Sequence, residues 1–151
     1  MWNNDRSALL SLVIVRICYV LLAGCCVAAP WIVRYYDEIV NEANGLPSVF
    51  VPLLATLYCA VPAAVVALVC LDKLLGNVRR GEPFTESSVK YLRIISWCCY
   101  GEAVVFIYFS FIKHFAFLVV IGFAFIGLIL RVVKNVFKQA VIIREENDYT
   151  I

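Results

Sequence analysis

Four long apolar segments, separated by short polar ones, constrain the fold of this chain more than any other feature. A helix needs about 20 mostly apolar residues to cross the hydrocarbon core of a bilayer. The four segments reach or approach this length, and they cover about 8–29, 48–71, 92–112 and 115–133. With 64% hydrophobic and only 16% charged residues, the chain is far more apolar than a soluble domain. We therefore predict an all-α integral membrane protein, a four-helix bundle that forms a single domain over residues 1–151.

The first apolar segment, Ala8 to Ala29, has 22 residues and is longer than the apolar core of a usual signal peptide. Ala28 and Ala29 faintly resemble a cleavage site, but Pro30 and the bulky residues after it disfavour cleavage. We expect a retained spanning helix that ends at Pro30, because proline interrupts helical hydrogen bonding.

Basic residues are concentrated in two of the polar segments. One follows the second apolar segment and the other follows the fourth, and together they contain Lys73, Arg79, Arg80, Lys90, Arg93, Arg131, Lys134, Lys138 and Arg144. Because loops rich in Lys and Arg stay in the cytoplasm, we expect both termini inside the cell. The fourth helix should continue into the cytoplasm, which gives a tail over 134–151. The net charge of +2 is too small to indicate direct binding to nucleic acid.

A helix start is indicated just before the third apolar segment. Thr85 has the side chain of an N-cap residue, and Glu86 places an acidic group in the first turn. The third helix should therefore begin on the cytoplasmic side, ahead of the membrane.

Pro62 lies in the middle of the second apolar segment. Proline leaves the carbonyl of Tyr58, four residues earlier, without its usual donor and predicts a kink. The kink either shapes a cavity or hinge, or serves packing alone, since prolines are frequent in spanning helices.

Two charged residues, Arg16 and Glu102, lie inside apolar segments. An isolated charge at the centre of a bilayer costs about 2.5–3.5 kcal/mol on insertion scales. Counted from the cytoplasmic ends of their segments, both residues reach a similar depth. We expect them to face the interior and to interact, either as a structural ion pair or as the polar part of a functional site.

The seven cysteines all lie in apolar segments, and their spacing gives neither a Cys-x-x-Cys motif nor a disulfide framework. The adjacent pair Cys98 and Cys99 is the candidate thiol site, with packing as the plainer alternative. His114 is interpreted as a polar turn residue. No metal site, cofactor or catalytic residue is predicted.

The fourth apolar segment continues into an amphipathic helix. One side carries Val133, Val136, Phe137, Ala140 and Val141, and another carries Arg131, Lys134 and Lys138. This helix could lie on the inner leaflet, pack on the segment at 76–86, or dock a cytoplasmic partner. The candidate residues for partner or lipid binding are Arg79, Arg80, Arg131, Lys134, Lys138 and Arg144.

Several segments of the sequence are distinctive, above all Gly81-Glu-Pro-Phe-Thr85 and the run that ends Glu-Glu-Asn-Asp-Tyr-Thr-Ile151, with further matching segments at 89–99 and 127–140. Together they resemble the bacterial DUF2975 family over essentially the whole chain. The resemblance implies a small multi-pass protein of the bacterial plasma membrane. It also implies a genomic context beside small helix-turn-helix regulators, and it supplies no catalytic residues.

These observations lead to a ranked set of functions. The first is a non-enzymatic membrane sensor that binds the lipid bilayer, or forms homo-oligomers, and regulates a cytoplasmic helix-turn-helix partner. The second is a small transporter or immunity-type exporter that uses the polar residues inside the membrane. The third is a membrane protein with thiol or soft-metal chemistry.

Overall fold

The computed structural model describes the backbone of residues 4–149 and the side chains of residues 10–147. Four long helices account for most of it: α1 (Asn4–Tyr36), α2 (Phe50–Arg79), α3 (Glu86–Ser110) and α4 (Ala116–Tyr149). Each is long and apolar enough to cross a membrane, so the predicted all-α class with four candidate membrane helices is confirmed. The last two residues of the predicted tail, 150 and 151, lie outside the described residues.

The helices run alternately up and down and pack in the order of the sequence. α1 packs on α2, α2 on α3 and α3 on α4, and the α3–α4 contact is the most extensive. Within the described part of the chain, no other pair of these helices makes more than marginal contact. The four helices therefore form a row, and the predicted bundle is an open one.

A glycine explains the close approach of α3 and α4. Gly127 is buried, and a Cβ atom at this position would lie 3.2 Å from two ring atoms of Tyr100. Small residues allow spanning helices to approach closely, which strengthens van der Waals packing where no hydrophobic driving force acts between helices. The rings of Phe106 and Phe123 stack in the same interface, with centroids 5.9 Å apart.

The predicted end of the first helix at Pro30 is wrong, because α1 continues through Pro30 to Tyr36. Pro30 has no N–H for the carbonyl of Cys26, four residues earlier. In hydrocarbon that carbonyl has no water to accept from. The hydroxyl of Tyr58 on α2 donates to it at 3.0 Å, so the neighbouring helix supplies the missing donor.

The connection between α2 and α3 is tightly capped on both sides. α2 ends with Gly81 in the left-handed region, where its φ is 77° and its N–H donates to the carbonyl of Val78. α3 begins with Thr85, whose hydroxyl accepts from the N–H of Ser88 at 3.3 Å. This confirms the predicted N-cap. The amide of Asn77 on α2 donates to the Ser88 hydroxyl at 3.2 Å and joins the two caps.

Polar contacts between helices mark two levels along the row, and the bond from Tyr58 to the Cys26 carbonyl lies between them. At one level, which we call the basic end, Arg16 lies 3.9 Å from Asp72 and the Lys73 ammonium lies 6.0 Å from the Tyr91 ring. At the other level, which we call the Asp37 end, the chain turns from α1 into α2 and from α3 into α4.

The distance between these levels fits a bilayer. From Arg16 to Asp37 the chain rises about 31 Å at 1.5 Å per residue, and the hydrocarbon core is about 30 Å thick. Trp31 and Tyr35 are exposed on α1 just before Asp37, as expected for an aromatic belt at a membrane surface. We infer that the two levels mark the boundaries of the hydrocarbon core.

The link between Tyr58 and Pro30 can be tested with a double substitution. Tyr58→Phe removes the hydroxyl, and we expect the free energy of unfolding to fall by about 0.5–1.5 kcal/mol. In a Pro30→Ala background the alanine N–H can serve the Cys26 carbonyl, so the same change should cost less than about 0.5 kcal/mol. Reversible unfolding in mixed detergent micelles measures both values, and an equal cost in the two backgrounds would contradict the assignment.

Candidate functional site

Glu102 is the central feature of the spanning region. It lies on α3, the helix that packs against both α2 and α4, and only 6% of its surface is exposed. Both of its carboxyl oxygens are buried without a hydrogen-bond partner among the described residues. Eleven residues separate it from Tyr91 at the basic end, so it lies about 16 Å into the membrane. A buried polar group without partners is costly and marks a candidate site for a proton or ligand.

The predicted interaction between Arg16 and Glu102 is wrong. The Arg16 guanidinium lies 3.9 Å from the Asp72 carboxylate instead, with 72% of its side chain exposed. α1 packs against α2 and does not pack extensively against α3. A membrane boundary at residue 8 would place Arg16 deep in the hydrocarbon. The contact with Asp72 instead places Arg16 at the basic end, near the boundary. Glu102 therefore lies in the interior without a cationic partner among the described residues.

The candidate thiol site lies beside Glu102. Cys98 and Cys99 are half-buried free thiols that precede Glu102 by one helical turn and share its side of α3. Within residues 10–147, no group of three or more His, Cys, Asp and Glu side chains is placed to hold a metal ion. Thiol chemistry at this pair stays a prediction.

The other adjacent pair of cysteines lies in an apolar region. Cys25 and Cys26 line a cavity of about 310 Å³ between α1 and α2, close to the bond between Tyr58 and the Cys26 carbonyl. Pro62 lies within α2 between Val61 and Ala64, which line this cavity, and the kink predicted there stays a prediction.

A polar network at the Asp37 end was not identified from the sequence. Asp37 is 4% exposed, and its carboxylate accepts from the Asn41 amide at 2.6 Å, from the Val49 N–H at 2.8 Å and from the Ser48 hydroxyl. These bonds join the end of α1 to the start of α2. The Lys113 ammonium then donates to the Asn41 side chain at 2.7 Å and ties in the turn between α3 and α4.

The local backbone explains how this network forms. α1 passes into a π-helical turn over Asp37–Asn41, which places Asp37 and Asn41 on the inner side of the turn, where both are buried. The chain then reverses at Gly45, whose φ of 67° favours glycine. In the sequence, turn-forming residues follow Asp37, and this pattern predicts a turn. It does not predict that Asp37 bonds to Ser48 and Val49, eleven and twelve positions later.

The basic end is organised by the continuation of α4 as a single helix to Tyr149. Arg131 lies over the rings of Trp97 and Tyr100, with its guanidinium carbon 5.0 and 5.4 Å from their centroids. Farther along, the rings of Phe137 and Phe84 lie 5.1 Å apart, and Val141 is buried. The helix therefore packs on the segment before α3, one of the alternatives that its sequence allowed.

The opposite side of the same helix is uncovered. Val132, Val136 and Ile143 are each more than half exposed, at 57%, 56% and 58%. At 100° per residue they lie on the side of α4 away from Phe137 and Val141. We call these three residues the apolar stripe. The prediction that Val136 shares the side of Phe137 and Val141 is therefore wrong. Of the predicted binding residues, Arg79, Arg80, Lys138 and Arg144 are exposed and Lys134 is half-buried.

Comparison with known proteins gives one match. A family model described as "Protein of unknown function (DUF2975)" matches residues 31–151. This confirms the family that the sequence motifs indicated. No curated protein and no solved structure matches the chain.

The cost of the unpartnered carboxyl at Glu102 can be measured. Glu102→Met keeps an unbranched side chain and removes both buried oxygens, so we expect the free energy of unfolding to rise by about 1–3 kcal/mol. The control Glu42→Met, at an exposed residue of the Asp37 end, should change it by less than about 0.5 kcal/mol. A clear loss of stability in Glu102→Met would show that the carboxyl has a structural partner.

The polar network at the Asp37 end gives a second stability test. Asp37→Ala leaves the buried Asn41 amide and the Val49 N–H without their acceptor, and we expect a large loss of thermal stability. The neighbouring change Glu38→Ala removes only an exposed pair with Arg34, worth about 0–1 kcal/mol. Thermal unfolding in detergent compares the two variants, and similar losses would contradict a structural role for Asp37.

Proposed function

The chain belongs to the DUF2975 family, and from that premise we propose that it is a non-enzymatic regulatory protein of the membrane. Its spanning helices would respond to a lipid, an apolar ligand or the state of the bilayer. Its basic end would bind a cytoplasmic partner, for which the family context indicates a helix-turn-helix regulator. The concentration of Lys and Arg at the basic end supports a cytoplasmic location for this end and for both termini.

The observation that carries this proposal is the apolar stripe. Ile143 follows Arg131 by twelve residues, so it lies about 18 Å farther along the helix. All 34 residues of α4 extend about 51 Å, well beyond the roughly 30 Å of the hydrocarbon core. The far part of the stripe therefore lies outside the hydrocarbon. An exposed apolar side of a helix is the surface on which partner helices and grooves dock.

The contacts of the basic end provide a route from the membrane to this surface. α4 is one continuous helix, so a shift of its spanning part moves the stripe. Phe84 contacts Phe137, and the Asn77 amide bonds to the α3 cap, so α2, α3 and α4 meet on the side of α4 opposite the stripe. Movements of any of these helices are thereby coupled to the partner surface.

Transport is the second candidate, and Glu102 is the observation that favours it. A carboxyl near the middle of the membrane is a typical element of proton-coupled carriers. The two functions differ in their dependence on solute or proton flux, which reconstituted vesicles measure directly.

The partner surface can be tested with full-length tagged protein purified from its own host in mild detergent. The variant Ile143→Glu places a charge on the part of the stripe that lies outside the hydrocarbon, and we expect recovery of a small DNA-binding protein to fall at least about tenfold. The control Leu46→Glu adds a charge at a similarly exposed apolar residue of the Asp37 end and should leave recovery unchanged. Unchanged recovery in Ile143→Glu, or no DNA-binding protein with wild type, would contradict the proposal.

A further inference from the structure

A cleft of about 200 Å³ lies between the first turns of α3 and the continuation of α4 at the basic end. Its floor includes the buried side chain of Val141. The charged residues that line it are Glu86, Lys90, Arg93, Lys138 and Glu145. Three cations against two carboxylates leave the cleft with a net positive charge.

Two of these cations have no ion-pair partner within residues 10–147. Lys90 lies 3.7 Å from Glu86 and is paired within its own helix. Arg93 and Lys138 make no ion pair or hydrogen bond within residues 10–147, although they come from different helices and face one cleft. Like charges brought together without a partner repel each other, so the arrangement favours an anion between them.

The cleft lies at the level of the lipid headgroups. Arg93 follows Tyr91 by two residues, and the Tyr91 ring contacts Lys73 at the boundary of the hydrocarbon core. On α4, Arg131 contacts Trp97 and Tyr100, which lie one to two turns deeper than Arg93. Lys138 is seven residues beyond Arg131, about 10 Å along the helix, which returns it to the level of Arg93.

We propose that this cleft binds the phosphate of an anionic phospholipid through Arg93 and Lys138, with Lys90 at its rim. A guanidinium suits a phosphate because it presents paired N–H donors, and the lysine ammonium adds a point charge. A lipid fits the site better than a soluble phosphate compound, because the cleft opens at the headgroup level. This inference does not depend on the partner surface of the proposed function.

The experiment measures binding of phosphatidylglycerol to the full-length protein in micelles of a neutral detergent, with phosphatidylcholine as the uncharged comparison. Wild type should prefer phosphatidylglycerol. Raising the salt from about 0.1 to about 1 M should weaken the preference, because the Debye length falls from about 10 to about 3 Å. The double variant Arg93→Gln and Lys138→Gln should bind phosphatidylglycerol about 25-fold more weakly, at about fivefold for each cation.

The matched control is Arg16→Gln with Lys73→Gln, which removes two exposed cations at the same end but outside the cleft, and should keep the wild-type affinity. If the wild-type protein binds phosphatidylglycerol and phosphatidylcholine equally, the proposal is wrong, whatever the variants show. Equal losses in the two double variants would overturn it as well, since they would indicate general surface charge. If inorganic phosphate competes as strongly as the lipid, the ligand is a soluble phosphate compound and the lipid assignment is wrong.

Discussion

Inside a hydrocarbon layer about 30 Å thick, every backbone N–H and C=O must find its partner within the protein. This constraint makes four long helices the available architecture for so apolar a chain, and it explains details that composition alone does not. Pro30 would leave the Cys26 carbonyl without a donor, and the Tyr58 hydroxyl of the next helix fills the gap. One side-chain bond thus allows α1 to continue across the membrane and holds it against α2.

The thickness of the hydrocarbon core also sets the distance between the Asp37 end and the basic end, which differ in their contacts. At the Asp37 end, a buried carboxylate, an amide and a lysine join the α1–α2 connection to the turn between α3 and α4. The basic end joins α2, α3 and α4. It leaves exposed the apolar stripe and two cations, Arg93 and Lys138, that have no ion-pair partner among the described side chains. Glu102 lies between these ends without a partner among the described residues. The Asp37 end is held together by hydrogen bonds, and the basic end has exposed binding surfaces. This arrangement supports the proposed regulatory role, in which the spanning helices respond to the membrane and the basic end binds a partner.

Features set by neighbouring residues could be predicted from the sequence, and features set by the packing of helices could not. Four apolar segments and the Thr85 cap depend on residues close together, and the structure has them. The ion-pair partner of Arg16 depends on which helix packs beside α1 and on where the membrane begins. A depth measured from the first apolar residue therefore predicted Glu102, whereas the structure has Asp72. The Asp37 network joins residues that are far apart in the sequence. It depends on a π-helical turn, which the hydrophobic periodicity of the sequence does not predict. The end of α1 was predicted wrongly at Pro30 for a related reason. The hydroxyl that donates to the Cys26 carbonyl belongs to Tyr58 on another helix.

The central claim is the position of the membrane along the chain, and spin labels on α1 test it most directly. Labels at positions 16, 27 and 35, where the native side chains are exposed, would be placed in the full-length chain with its native cysteines changed to alanine. Oxygen accessibility in reconstituted bilayers rises toward the bilayer centre and reports the depth of each label. With boundaries at Arg16 and Asp37, the label at 27 is the deepest and those at 16 and 35 lie near opposite surfaces. If the label at 16 is the deepest and the label at 27 lies near a surface, the span follows residues 8–29 and the account is wrong.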